Sequence, residues 1–134
     1  MPVTPGTPER RRYVRVSPSM SNPVQTAFRD EELQLEALPV KDISLGGVAV
    51  ELPEHILHLP VGRQITTLQI SLPKLGTVSA SGVIRRFEVD PVSKRRICAV
   101  EFTRIPVPAD RKLYQYINRR QREIHWFTSE PTRH

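Results

Sequence analysis

Four arginines, Arg10, Arg11, Arg12 and Arg15, fall within six positions. Guanidiniums this crowded repel one another, and a concentrated anion is what most easily holds them together. The planar guanidinium fork donates two parallel hydrogen bonds to a phosphate or to a guanine edge. The same stretch reads equally well as a solvated basic arm, since charged runs near chain ends are common. A second group follows between Val40 and Leu52, where Asp42 and Ser44 precede Gly46 and Gly47. A short carboxylate and a hydroxyl can hydrogen-bond a ligand, or the turn that carries them. Glycines permit positive φ and leave backbone N–H groups uncovered. An ordinary turn between two strands accounts for this group at least as well as a ligand site does. His55 and His58 have a metal-compatible spacing, but no cysteine or acidic cluster completes a ligand set, so no metal site is expected. No nucleophile–base pair or acid cluster stands at useful spacing. No catalytic residues are expected, and the chain reads as a binding protein rather than an enzyme.

Elements must position these groups. The 134 residues suit one domain, and 13 prolines with 6 glycines favour many short elements over a helical bundle. Residues 1–8 read as a flexible proline-rich tail, 9–127 as the folded domain and 128–134 as a second tail. Val14 and Val16 alternate with Arg15, as at the start of a strand. Further strands are expected at Val24 to Phe28, at Leu33 to Leu38, up to Ile43, and again from Val48. A short connection with one helical turn is expected from Pro53 to Pro60. Then come strands at Arg63 to Leu72, Thr77 to Val89 and Arg95 to Thr103. Gly82 inside a strand predicts a bulge or sharp bend. Cys98, Val100 and Phe102 are expected to face inward. A helix is predicted from Ala109 to Trp126, with Leu113, Tyr116, Ile117, Arg120 and Ile124 on one side. About six or seven strands and one helix predict a mostly β protein, a small antiparallel β-barrel with a C-terminal α-helix.

The formal charge of +6 points to an anionic partner. The single cysteine, Cys98, excludes an intrachain disulfide and fits a reducing cytoplasm. There is no apolar leader segment, and no run approaches the roughly 20 apolar residues that span a bilayer. A cytoplasmic protein without membrane insertion is therefore expected.

Together and in this order, the two polar groups resemble the motifs of the PilZ domain family. Arg11 and Arg15 match its Arg-x-x-x-Arg motif. Asp42, Ser44 and Gly47 match its Asp/Asn-x-Ser-x-x-Gly motif at a strand–turn–strand. Leu113 to Glu123 is similar to the C-terminal helix of PilZ domains in YcgR-like flagellar brake proteins. The resemblance covers most of Glu9 to Ile124. Two departures are visible: Ala99 stands where many members have glycine, and YcgR-like proteins carry a further N-terminal domain that these residues do not contain.

The resemblance implies a receptor for cyclic di-GMP, with Arg10, Arg11, Arg15, Asp42, Ser44, Gly46 and Gly47 as the binding residues and no other cofactor. Arg11 and Arg15 would take guanine edges or phosphates, Asp42 the guanine N–H groups and Ser44 a guanine or phosphate oxygen. Arginine at position 10 goes, in the family, with an intercalated ligand dimer. The arginine loop would order over the ligand and alter a surface for a protein partner, with the flagellar motor as the partner and motility as the process. Two alternatives stay open. One is a nucleic-acid-binding barrel, which the charge permits although the strands lack interleaved aromatics for base stacking; no DNA or RNA partner is expected. The other is a PilZ-like interaction module that works without ligand.

Overall fold

The computed structural model describes residues 14–129, and their side chains through 125. The expected tail at residues 1–8, together with Arg10 and Arg11, lies outside the described residues. Six strands run in chain order: β1 (Gln25–Arg29), β2 (Gln34–Ile43), β3 (Gly47–Leu52), β4 (Gln64–Leu72), β5 (Gly76–Val89) and β6 (Arg96–Arg104). Helix α1 (Val107–Ser129) follows. The strands close into an antiparallel barrel in the order β1-β2-β3-β6-β5-β4. Closure leaves no long unpaired edge.

Period-two alternation supplies the core. Ile65, Leu68, Ile70 and Leu72 of β4 and Val78, Ala80, Gly82 and Ile84 of β5 point inward. They meet Phe28 and Ile43, and Leu113 of α1 seals the cluster. Each fully buried aliphatic or aromatic side chain of this kind contributes about 1.5–3 kcal/mol of transfer free energy. Pro108 sits in the first turn of α1, where a missing N–H costs nothing, and Asp110 matches the positive end of the helix dipole. The helix starts before Ala109 and runs past Trp126. Ala109, Leu113, Tyr116 and Ile117 are buried, whereas Ile124, expected on the same stripe, is 36% exposed.

The ladders carry five register shifts, and these decide which side chains face outward. In β2 the register moves from Thr26↔Leu38 to Phe28↔Leu35, with Ala37 in the left-handed region at φ 54. The expected inward position of Ala37 is therefore taken by Leu38, and the two strands expected on either side of Pro39 are one. A second shift, from Val40↔Val50 to Asp42↔Ala49, inserts Lys41. Both Lys41 and Asp42 are thereby left off the core face, while Val40 and Ile43 face inward. In β4 against β5, Thr66 and Thr67 together oppose Ser81. The β5–β6 ladder shifts twice, between Ser81 and Gly82 and between Ile84 and Arg86. The bend expected at Gly82 is present, and a Cβ there would stand 2.5 Å from Val100 Cγ1.

Three local expectations change. The segment from Pro53 to Pro60 contains a turn but no helix. His58 packs edge-on against Phe87, with ring centroids 5.3 Å apart. In β6 all of Ile97, Cys98, Ala99 and Val100 are buried, and Phe102 is only partly so. Val48, Ala49 and Val50 of β3 are buried as well, so alternation fails along both strands of this wall, where Ala49 pairs with Ala99.

Candidate functional site

Ahead of β1, an antiparallel bridge pairs Val16 with Ile43 of β2. Val16 N–H donates to the Ile43 carbonyl, and Ile43 N–H donates to the Val16 carbonyl, each at 3.0 Å. Val16 is buried. With Val16 pointing in, strand alternation turns its neighbour Arg15 out. The Lys41 bulge leaves Asp42 off the core face as well. The two side chains meet: Arg15 Nη1 donates to Asp42 Oδ1 at 2.6 Å, across 27 positions of sequence. The Arg15 side chain is 47% exposed and that of Asp42 26%. An ion pair this wet contributes about 0–1 kcal/mol, so a competing anion displaces it at little expense. The guanidinium has five N–H donors, and the pair with Asp42 engages Nη1.

The turn after Ile43 is built by Ser44. Its hydroxyl oxygen accepts from Gly46 N–H at 3.1 Å and Gly47 N–H at 3.2 Å. Its own N–H donates to the Gly47 carbonyl at 2.9 Å. Ser44 is 1% exposed. In this arrangement the hydroxyl closes the turn that follows Asp42. Gly47 is explained by close approach rather than by positive φ: a Cβ there would run into the Val100 carbonyl oxygen of β6. The Gly46 carbonyl accepts from Phe102 N–H at 2.8 Å, which locks the turn to β6.

A cavity of about 220 Å³ opens beside this turn, lined by Arg15, Ser44, Gly46, Gly47, Ala99 and the flank of β6. It also holds a residue that reading the sequence missed. Arg85 of β5 lines the cavity and pairs through Nε with Glu101 Oε1. The β5 bulge aims it there: Ile84 pairs with Val100 and Arg86 with Ala99, so Arg85 is the extra residue. The signal was two adjacent arginines, Arg85 and Arg86, interrupting an otherwise alternating strand. The described site thus presents two guanidiniums and two carboxylates around a glycine-bearing floor. The elements of that set suit an anion with hydrogen-bonding edges. Among the described residues there is no group of three or more metal-ligating side chains, and no helix is long and apolar enough to cross a membrane.

The PilZ domain model matches residues 9–119. The chain belongs to the PilZ domain family. As a PilZ domain it is 30% identical over 116 residues to the uncharacterized protein YpfA of Bacillus subtilis (strain 168), covering 84% of this chain and 51% of that protein. Its fold superposes on the B. subtilis inhibitor of motility (MotI/DgrA) with a TM-score of 0.73 at 30% identity, over 85% of this chain and 52% of the other. The PilZ domain of Escherichia coli YcgR, solved with c-di-GMP, matches with a TM-score of 0.67 at 19% identity, over 90% of this chain and 98% of that one. The chain spans about half the length of YpfA and of MotI/DgrA.

Proposed function

We propose that this PilZ domain is a cyclic di-GMP receptor that binds rather than catalyses. The observation that carries this is the meeting of Arg15 and Asp42 at 2.6 Å beside a cavity lined by Gly46 and Gly47. Two motifs far apart in the chain supply one surface with guanidinium donors and a carboxylate acceptor. Arg15 takes a phosphate or guanine edge, and Asp42 accepts guanine N–H groups. Ser44 holds the turn, Gly46 and Gly47 keep its floor low, and Arg85 adds a second described cation. Arg10 and Arg11 complete the set from outside the described residues, and Arg10 brings in a stacked second ligand. The c-di-GMP complex of the YcgR PilZ domain shares the fold. The relative named as an inhibitor of motility supports motility control as the output; in this proposal the output passes through a protein partner at the flagellar motor.

Isothermal titration with cyclic di-GMP tests the reading. We expect one or two ligands per chain and a Kd in the micromolar range, near −8 kcal/mol. Arg15→Ala should weaken binding at least about tenfold, or about 1.4 kcal/mol. Amide exchange over 14–17 should slow on binding. A wild-type chain that gives no heat with cyclic di-GMP, yet takes up long oligonucleotides, would move the assignment to the nucleic-acid class.

A further inference from the structure

The segment that carries Arg15 is held from a third direction. Arg120, on α1, donates from Nε to the Ser17 carbonyl at 2.6 Å, across 103 positions of sequence. Its Nη1 reaches Glu123 Oε1 at 3.2 Å, one turn further along the helix. The Arg120 side chain is only 19% exposed, unlike a solvated arginine. Ser17 lies immediately after Val16, whose two backbone bonds to Ile43 register the strap against Asp42. Helix, strap and motif turn are thus joined in series, from Arg120 to Ser17, to the Val16–Ile43 bridge, to Arg15 and Asp42.

Val16 packs in the core, but beyond it the loop and the helix are not tightly packed together. A cavity of about 50 Å³ lies between the 17–23 loop and the helix, lined by Ser19, Asn22, Tyr116, Arg119, Arg120 and Glu123 among others. Tyr116 is 5% exposed and its hydroxyl has no hydrogen-bond partner among the described residues. Where side chains leave a gap, one charge-assisted hydrogen bond to a carbonyl carries more of the positional restraint.

We propose that Arg120 is a positioning residue for the ligand strap, and that it couples occupancy at Arg15 to the docking of α1. The role assigned to Arg120 rests on the ligand reading above. With the Ser17 carbonyl held by Arg120 and Val16 registered on Ile43, Arg15 stands ready beside Asp42, so the docked helix and a ligand at Arg15 favour the same strap position. By linkage, a helix that is docked through Arg120 favours ligand by the factor with which ligand favours docking.

Two measurements test this, one of them without ligand. In the ligand-free chain, Arg120→Ala should speed amide exchange at Val16 and Ile43 at least about tenfold. Exchange at Ile70 and Val78, across the barrel, should stay as in wild type, and Arg120→Lys should restore part of the protection. Unchanged exchange at Val16 and Ile43 overturns the proposal whether or not the chain binds cyclic di-GMP. With cyclic di-GMP, Arg120→Ala should weaken binding about tenfold in the wild-type background and less than about twofold in an Arg15→Ala background. Equal losses in both backgrounds would show that Arg120 does not act through Arg15. Absence of binding in wild type sinks the ligand reading alone, and the exchange data still decide whether Arg120 positions the strap.

Discussion

At the scale of single residues, motif positions divide into those that hold the turn and the barrel and those that the cyclic di-GMP proposal sets against a ligand. Gly47 is of the first kind. A Cβ there meets the Val100 carbonyl oxygen, a backbone atom that cannot rotate away. Gly47→Ala should destabilise the fold by about 1–3 kcal/mol, as overpacking does. Ser44→Ala leaves the Gly46 and Gly47 N–H groups without their side-chain acceptor and belongs to the same class. Arg15→Ala is of the second kind. It removes an exposed ion pair, so urea unfolding should place it within about 1 kcal/mol of wild type. If Arg15→Ala proved as destabilising as Gly47→Ala, Arg15 would be a structural residue and its effect on ligand would be indirect. Cys98 shows how far an inward position alters chemistry. Burial pushes its thiol up to about 12. Below that value the folded chain keeps the thiol protonated, so a thiol-specific reagent at pH 8 should label Cys98 only after denaturant is added. Because the folded pKa is the higher one, the unfolded chain ionises first as pH rises. Stability contributed by the protonated thiol is intact below about pH 9 and is lost as pH climbs towards about 12. The motif residues were legible because their types and order survive without knowledge of contacts. That Ser44 spends its hydroxyl on the turn was not legible, since a ligand and a turn ask for the same donors and acceptors.

At the scale of elements, the strands and helix could be read from alternation and from proline and glycine punctuation, and the bulges could not. Each inserted residue turns one side chain outward, and a bulge has no residue signature as strong as that of a turn. The insertions at Lys41 and Arg85 are the two that matter for the site, because they free Asp42 and Arg85 from the core face. Ala37 misled for the same reason. Alternation from Leu33 put it inward, while the positive φ of the bulge put Leu38 there instead. Across β5 and β6, Arg85 is paired with Glu101, and both side chains are more than half exposed. The carboxylate lowers the positive potential of the cavity it shares with Arg15. Glu101→Gln should therefore tighten binding of an anionic nucleotide several-fold, and Arg85→Ala should loosen it by a similar factor, both read by titration calorimetry. A Glu101→Gln variant that binds more weakly than wild type would mean that the ligand needs Arg85 oriented by its partner rather than released from it.

At the scale of the whole molecule, the barrel and the binding groups have separate physical origins. The barrel rests on buried apolar side chains from all six strands and α1. The site is made by placing charges from opposite ends of the chain on its outside. Arg15 precedes the barrel, Asp42 and Arg85 lie within it, and Arg120, which bonds the Ser17 carbonyl behind the strap, follows it. Sequence order hides this, because closure alone brings β3 against β6 and so sets the motif turn beside Glu101 and Phe102. Ligand should therefore stabilise a fold that already exists. At 100 times Kd the gain is about 2.7 kcal/mol, which raises the unfolding midpoint by on the order of 10 °C for a chain of this size. The net charge of +6 makes electrostatic attraction a second whole-molecule term, and salt separates the two partner classes that share it. A polynucleotide held by six to ten phosphate contacts loses about a thousandfold or more in affinity between 50 and 200 mM salt. A compact ligand with two phosphates, gripped by short charge-assisted bonds on a half-buried floor, releases far fewer counterions. Its affinity should fall less than about tenfold over the same range. A cyclic di-GMP titration with the steep slope of a polyelectrolyte would show that the chain senses charge density and not the paired guanine and phosphate edges that Arg15 and Asp42 are placed to meet.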